Sequence, residues 1–288
     1  MTLVQGTITG LFRYPFKSMA GEALQTVHIG ANGFSGDRAW AVRDEQLGGI
    51  RGAKRFAQLM DCRAYYPSPP AEQGSSPATV VLPSGIEVAT GDEGLGAMLS
   101  ELVGSQVTVW PLLPPEQLDH YRRGKPMLDD GEAELRRVFA RSADESLPDL
   151  SGFPPELFQY ESPPGTYFDA FPLLILSRQS LESLQRLAQE HVWDVRRFRP
   201  NLLVDCPDAG DFPENSWEGR RLRIGSTVLQ LEMNCPRCVM TTHGFADLPQ
   251  DVGVMKSLVQ ITNGSLGIYA SVIEPGVVRQ DDSIELLG

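Results

Sequence analysis

The pattern of apolar and polar residues predicts short β-strands in the first third of the chain. β-prone runs cover residues 7–14, 25–29 and 38–43, and glycine, asparagine and aspartate residues separate them. Runs of this length, interrupted by turn-forming residues, are typical of antiparallel sheets. Residues 79–82 and 85–88 predict a hairpin in the same region.

The next stretch predicts one helix and then loses its regular pattern. Leucine and methionine recur at helical spacing over residues 92–103, and residues 107–110 form a further β-prone run. Three prolines follow between positions 111 and 115. Residues 122–165 are rich in proline, glycine and charge, so we expect a long loop-rich segment there.

Regular patterning returns in the second half of the chain. Residues 173–176 are four consecutive apolar residues, which predicts a buried strand. Ser177 then provides an N-cap for a helix that runs to about His191. Further strands are expected at residues 202–204, 221–225, 227–233 and 276–287. The patterns together predict an α+β, β-rich protein with domains at residues 1–115 and 116–288.

Composition and charge narrow the classes of function. The 288 residues carry a net charge of −12, which argues against a nucleic-acid partner because phosphate binding requires a basic face. An apolar run long enough to span a membrane is missing, and four cysteines do not make a disulfide framework. We therefore expect a cytoplasmic protein with no membrane partner.

Two of the four cysteines, Cys235 and Cys238, stand three residues apart at the end of a predicted strand. The β-branched residues that follow predict a second extended segment beyond them. The pair could be half of a zinc site with His243, a redox dithiol, two buried apolar cysteines, or a single thiolate presented to a catalytic metal. Spacing alone leaves all four interpretations open.

Two basic segments are notable in so acidic a chain. Lys17 and Ser18 follow Pro15 and could bind a phosphate, and Arg199 precedes Pro200 at the start of a predicted strand. Arginine suits phosphates and planar heterocycles. Solvated surface charge is the competing interpretation. A glycine-rich nucleotide loop of standard spacing is missing from the sequence.

Four motifs in order carry a resemblance to a known family. They are Tyr14-Pro15-Phe16-Lys17-Ser18, Gly36-Asp37-Arg38-Ala39-Trp40, Phe198-Arg199-Pro200-Asn201 and Cys235-Pro236-Arg237-Cys238-Val239-Met240-Thr241-Thr242. Together they resemble the MOSC-domain molybdoenzymes with an N-terminal MOSC-type β-barrel domain, including the mitochondrial amidoxime reducing component and its bacterial relatives. The resemblance implies a MOSC-type barrel with flanking helices in the second domain and a MOSC-type β domain before it.

The resemblance also implies a cofactor and its ligands. It implies the molybdenum cofactor, a pyranopterin (molybdopterin) without nucleotide, with Cys238 as catalytic residue and protein ligand to the metal. Arg237 would lie beside that ligand and lower its thiol pKa. The positions that match the family around the pterin and its phosphate are Lys17, Ser18, Arg38, Ser177, Arg199 and Asn201.

The implied activity is reduction of N-hydroxylated compounds such as hydroxylaminopurines, hydroxylamines or amidoximes. Electrons would come from a separate flavin or iron–sulfur reductase. The alternative is a non-catalytic carrier of the cofactor or a sulfur-relay protein, although a pyridoxal-phosphate domain is not expected in this chain. Residues 243–249 differ from the family pattern, which leaves the substrate-side wall unassigned.

Overall fold

A closed β-barrel is the centre of the computed structural model, which describes residues 5–287. The strands within those residues are β1 (Gln5–Arg13), β2 (Glu22–Leu24), β3 (Thr26–Gly30), β4 (Gly33–Phe34), β5 (Trp40–Asp44), β6 (Ile50–Arg51), β7 (Arg63–Tyr65), β8 (Thr79–Val81), β9 (Glu87–Ala89), β10 (Val107–Pro111), β11 (Leu173–Ser177), β12 (Leu202–Asp205), β13 (Arg221–Ile224), β14 (Thr227–Pro236), β15 (Ser265–Glu274), β16 (Gly276–Arg279) and β17 (Ser283–Leu287). The helices are α1 (Leu95–Val103), α2 (Leu118–Tyr121), α3 (Gly131–Phe139), α4 (Arg178–Leu187) and α5 (Gly253–Thr262).

The barrel strands follow the order β12, β11, β15, β14, β13, β17 and β1, and pairing of β1 with β12 closes the ring. Strands β11 and β12 are parallel, whereas the other pairs are antiparallel. Inward-facing aliphatic residues such as Ile8, Ile175, Leu229 and Ile268 are fully buried in its interior. This arrangement confirms the expectation of a β-rich α+β fold with a MOSC-type barrel.

A second core lies among the small sheets of the N-terminal region. One sheet contains β10, β5 and β6, and another contains β7, β8 and β9. Helix α1 packs Leu95 and Leu99 into this core, and it ends at Gly104, which adopts the left-handed conformation that terminates many helices. The predicted hairpin and the predicted helix of this region are both present.

The boundary proposed between residues 115 and 116 stays a prediction. Strand β1, although it belongs to the first of the two expected domains, pairs with β12 and β17 of the barrel. Its residues Ile8 and Leu11 lie in the same core as Leu202 and Ile284. The N-terminal strand therefore holds the two parts of the chain together.

Two details of the sequence prediction were wrong, and one was incomplete. The segment 122–165 is loop-rich as expected, but it also contains helix α3, which Asp130 caps through the Ala133 N–H. Helix α4 ends at Leu187, several residues earlier than expected. A short 3₁₀-helix, not an extended segment, follows Cys238. Helix α5 and strand β15 had no counterpart in the predicted pattern.

Within residues 5–287, none of the helices combines the length and the apolar character that crossing a membrane requires.

Candidate functional site

Cys238 lies at the point where β14 gives way to a 3₁₀-helix, Val239–Thr242. Strand β14 pairs irregularly with β15 over its last residues, so the backbone leaves the sheet before this turn. The carbonyl of Cys238 accepts a hydrogen bond from the Thr241 hydroxyl at 3.0 Å. Cys235 is only 2% exposed, whereas Cys238 is partly exposed. Of the two thiols, Cys238 is the one that a metal can reach.

Arg237 directs its guanidinium away from Cys238. Its Nη1 atom donates to Cys235 Sγ at 3.0 Å, and its Nη2 atom donates to the Phe198 carbonyl at 2.7 Å. Burial raises the pKa of the Cys235 thiol despite the nearby guanidinium. Arg237, which the sequence analysis expected to lower the thiol pKa of Cys238, is therefore hydrogen-bonded to the other cysteine.

Lys17 and Lys54 share one carboxylate, that of Asp169. Lys17 Nζ lies 2.8 Å from Asp169 Oδ1 and also donates to the Tyr167 carbonyl at 2.7 Å. Lys54 Nζ lies 3.2 Å from Asp169 Oδ2. Burial alone would raise the pKa of Asp169, but the two ammonium groups outweigh it and hold that pKa well below its usual range.

Three of the predicted cofactor residues adopt the left-handed backbone conformation, which non-glycine residues rarely use. The φ angles are 70° at Ser18, 48° at Arg38 and 55° at Arg199. Each such residue costs free energy that the surrounding structure must supply, and such residues concentrate at functional sites. Their occurrence at these positions supports a common site.

Arg199 and Arg38 both stack on the ring of Tyr14. Their Cζ atoms lie 4.2 Å and 4.9 Å from the ring centroid. Burial raises the pKa of Tyr14 to about 12, and burial lowers the pKa of Arg199 to about 10. Arg199 donates from Nη1 to the Met19 carbonyl at 2.5 Å, but its buried Nη2 has no hydrogen-bond partner.

Asn201 and Asp37 fix this group of side chains to the barrel. Asp37 forms an ion pair with Arg38 and accepts hydrogen bonds from the Tyr14 N–H at 2.7 Å and Asn201 Nδ2 at 3.0 Å. Asn201 Oδ1 accepts from the Leu174 N–H of strand β11 at 3.2 Å. Asn201, which is fully buried, therefore orients Arg38 through Asp37.

The side chain of Ser177 is not part of this group. The residue is fully buried, caps α4 through the Ser180 N–H at 3.0 Å, and donates to Glu214 Oε2 at 2.6 Å. Burial raises the pKa of Glu214. Ser18, in contrast, accepts the Ala53 N–H at 2.9 Å and so positions the residue before Lys54.

Three residues that the sequence analysis missed belong to the site: Asp169, Lys54 and Tyr269. The Tyr269 hydroxyl lies near Cys235, and burial raises the pKa of Tyr269 well above the usual value. The sequence held one signal, an aspartate just before the buried strand β11. Lys54 and Tyr269 lie in segments without a recognisable motif, and only the fold brings them together.

The charges of the site fit an anionic cofactor. Five cations make up what we call the cationic cluster: Lys17, Arg38, Lys54, Arg199 and Arg237. Within residues 5–287 their ion pairs involve two carboxylates, those of Asp37 and Asp169. Two buried guanidinium nitrogens, Arg199 Nη2 and Arg237 Nε, have no partner. Unpaired buried donors are costly, so they indicate an anion such as a pterin phosphate.

A cavity of about 230 Å³ adjoins the cationic cluster, and its lining includes Tyr14, Arg199, Met60 and Phe245. Cys238 does not line it. Met60 and Phe245, however, belong to the apolar cluster against which Cys238 packs. The cavity therefore reaches Arg199 and two residues that pack near Cys238, but its lining does not include the thiol.

The other interpretations of the cysteine pair find less support. His243, the candidate third zinc ligand, places Nε2 3.0 Å from the Ala53 carbonyl. Between residues 5 and 287, no three histidine, cysteine, aspartate or glutamate side chains group as a metal-binding set. Each of the four cysteines is free, and Cys235 Sγ is taken by Arg237. A single thiolate at Cys238 remains the arrangement that the geometry favours.

Comparison with known families matches two domain models to this chain. A MOSC N-terminal beta barrel domain matches residues 5–82, and a MOSC domain matches residues 163–285. The second match contains the cysteine turn, Asp169, Arg199 and Tyr269. The first contains Lys17, Ser18, Arg38 and Lys54.

Among similar proteins is mitochondrial amidoxime-reducing component 1 of Mus musculus, 33% identical over 135 residues, which are 42% of this chain and 38% of that protein. Mitochondrial amidoxime reducing component 2 of Homo sapiens is 34% identical over 131 residues, 41% of this chain and 38% of the relative. Each match thus spans less than two fifths of the relative. The YUAD protein of Bacillus subtilis is a similar solved structure, with a TM-score of 0.46, 13% identity and coverage of 99% of this chain and 97% of that one.

Proposed function

The chain belongs to the MOSC-domain proteins that carry a MOSC N-terminal β-barrel domain, and from this premise we propose that it is a molybdenum-cofactor oxidoreductase. Its proposed substrates are N-hydroxylated compounds such as hydroxylaminopurines, hydroxylamines and amidoximes. The names of its relatives, amidoxime-reducing components, support this class.

One observation carries the proposal: a reachable thiol stands beside an excess of buried positive charge. Cys238 is partly exposed, and the cationic cluster contains two guanidinium groups with unpaired N–H donors. A thiolate ligand and anion-binding side chains are the two features that a metal held by an anionic pterin requires.

Each residue then has a proposed role. Cys238 would ligate the metal, while Arg199 and Arg237 would donate their unpaired N–H groups to the anionic cofactor. Lys17 and Arg38 would add charge, and Ser18 and Asn201 would hold the backbone and side chains in place. Ser177 receives no direct role, since both its hydroxyl and its backbone N–H are bonded to Glu214. When bound, the cofactor, molybdopterin without nucleotide, supplies two-electron chemistry at the N–O bond.

Electrons are proposed to come from a separate flavin or iron–sulfur reductase. The sequence holds neither a glycine-rich nucleotide loop nor cysteines beyond the four described. The cytoplasmic location stays a prediction, and the matched relatives are named as mitochondrial proteins.

Turnover with a chemical donor tests the proposal against its alternative. Purified, cofactor-loaded protein is supplied with reduced viologen and benzamidoxime, and the amidine product is measured. The oxidoreductase produces amidine in many turnovers per chain. A cofactor carrier or sulfur-relay protein would hold molybdenum and produce none.

A further inference from the structure

We propose that Lys54 is the residue of this site that binds the substrate, with its ammonium directed at the oxygen of the N–O group. The inference rests on the proposed function and adds to it a substrate-binding side chain. The position of Lys54 in the cationic cluster is its basis.

The cationic cluster divides into a buried part and a part open to solvent. Lys17, Arg199 and Arg237 are between 6% and 8% exposed. The side chain of Lys54 is 31% exposed and that of its partner Asp169 is 40% exposed. A cofactor that stays bound would contact the buried cations. A substrate that binds and dissociates in each turnover would contact the exposed cation, Lys54.

The backbone around Lys54 is fixed to the cysteine turn. The Ala53 carbonyl is hydrogen-bonded to His243, which directly follows the 3₁₀-helix that starts after Cys238. The Ala53 N–H donates to Ser18 Oγ, and the Lys54 carbonyl accepts a hydrogen bond from Arg137 Nη1 of α3 at 2.8 Å. These hydrogen bonds hold the backbone of Lys54 close to the cysteine turn.

The ammonium of Lys54 has N–H donors available for a ligand. Within residues 5–287 its one ion-pair partner is Asp169, at 3.2 Å, and Asp169 is also bound by Lys17 at 2.8 Å. One carboxylate cannot neutralise two ammonium groups. A lysine ammonium has three N–H donors, so donors remain for an oxygen of the substrate.

The lysine stays charged over the working pH range. Burial alone would lower its pKa, but the Asp169 carboxylate outweighs burial and holds the pKa of Lys54 above its usual value. Lys54 therefore acts as a fixed positive charge and keeps its own proton.

During reduction of the N–O bond, such a positive charge can stabilise the substrate oxygen. The N–O bond breaks, two electrons arrive from the reduced partner reductase, and two protons from solvent complete an N–H bond and one water molecule. Negative charge grows on the oxygen as the bond breaks. An ammonium placed at that oxygen binds the substrate and stabilises that charge more strongly as it develops.

The test compares Lys54→Gln, Lys54→Arg and the control Lys256→Gln, an exposed lysine of α5. The molybdenum content and thermal midpoint of each protein are measured first. Binding of benzamidoxime to the oxidised, cofactor-loaded protein is then measured by calorimetry with no reductant present, so no turnover occurs. Reduction with a chemical donor gives kcat/KM last.

We expect Lys54→Gln to retain its molybdenum and to bind benzamidoxime about 10- to 100-fold more weakly, the effect of losing one charge-assisted hydrogen bond. The kcat/KM of the same variant should fall by at least the same factor. Lys54→Arg should recover most of the binding and most of kcat/KM. Lys256→Gln should match the wild type.

Three results would overturn the inference. Unchanged binding and kcat/KM in a fully loaded Lys54→Gln protein would remove Lys54 from substrate binding and leave the proposed function standing. Loss of molybdenum in that variant would assign Lys54 to the cofactor. A molybdenum-loaded wild type that neither binds nor reduces any N-hydroxylated compound would overturn the proposed function, and this inference with it.

Discussion

Arg237 donates a hydrogen bond to Cys235 Sγ at 3.0 Å, although its neighbour in the sequence is Cys238. The interaction gives the two thiols of the motif different surroundings. Cys235 is buried and accepts a hydrogen bond from Arg237, while Cys238 is partly exposed at the start of a 3₁₀-helix. A site built from one thiolate follows from this difference, and a site built from a symmetric pair does not.

Replacement of each cysteine by alanine should therefore have unequal effects. Cys238→Ala should abolish turnover with a chemical donor, because it removes the proposed metal ligand. Cys235→Ala should retain much of the activity, since it removes only a buried contact and leaves a small cavity. Steady-state rates and molybdenum content measure both. Equal loss in the two variants would indicate that both thiols act together.

Alanine variants of Arg199 and Lys17 should distinguish an effect on cofactor binding from an effect on the stability of the fold. Arg199→Ala should lower the molybdenum content, because a charge-assisted contact to the anionic cofactor is worth about 1.5–3 kcal/mol. Stability of the cofactor-free protein should fall less than in Lys17→Ala, since removal of the unpaired Nη2 offsets part of the loss of the Met19 hydrogen bond and the Tyr14 contact. Lys17→Ala should lower both the molybdenum content and the stability of the cofactor-free protein, because Lys17 binds Asp169 and the Tyr167 carbonyl. Elemental analysis and urea unfolding measure the two effects.

Arg221→Ala provides the control for these variants, because Arg221 is an exposed arginine of β13 that lies opposite Gln230 of β14, several residues before the cysteine turn. Full molybdenum in both Arg199→Ala and Lys17→Ala would show that the buried cations do not hold the cofactor.

Much of the fold could be predicted from local patterns. The run of apolar residues at 173–176 and the cap at Ser177 correspond to β11 and α4, because a buried strand and an N-cap leave strong local signals. Helix α3 was missed because it lies in a segment rich in charged residues, proline and glycine, and none of its residues is fully buried. The turn after Cys238 was mistaken for a strand because Val239, Thr241 and Thr242 are β-branched, and the contacts of the turn overrode that preference.

The site could be predicted only where residues share a motif. Lys17, Arg38, Arg199 and Cys238 stand in recognisable motifs, and the structure places the first three in one cationic cluster beside the turn that carries Cys238. Lys54 could not be found this way, because its role depends on Asp169, which is more than a hundred residues away in the chain. The bonding of Ser177 to Glu214 also depends on the tertiary fold.

Acidification should weaken the fold through His243. Burial lowers the pKa of His243 in the folded state, so below about pH 6.5 the unfolded chain binds more protons than the folded one and stability is lost as the pH falls. The raised pKa of buried Glu214 acts in the opposite direction, so variants must be compared. Urea unfolding between pH 7.5 and 5.5 should show a smaller loss in His243→Gln than in the wild type. Identical pH slopes would contradict the assignment.

The electron route should require a partner. The chain alone should not oxidise a nicotinamide nucleotide, whereas a flavin or iron–sulfur reductase should support nucleotide-driven turnover. With a net charge of −12, docking onto a basic partner should weaken as salt rises, since exposed charges are screened beyond about 8 Å at physiological ionic strength. Turnover with a chemical donor should change much less. Nucleotide oxidation by the isolated chain would refute the need for a partner.

Molybdenum content is the most direct test of the central claim, that Cys238 and the cationic cluster hold a molybdenum cofactor. The protein is produced in a host that makes the cofactor, and metals are measured by mass spectrometry alongside fluorescence of the oxidised pterin. We expect about one molybdenum and one pterin without nucleotide per chain, with both strongly reduced in a variant that combines Cys238→Ala and Arg199→Ala. Stoichiometric zinc without molybdenum or pterin would contradict the account.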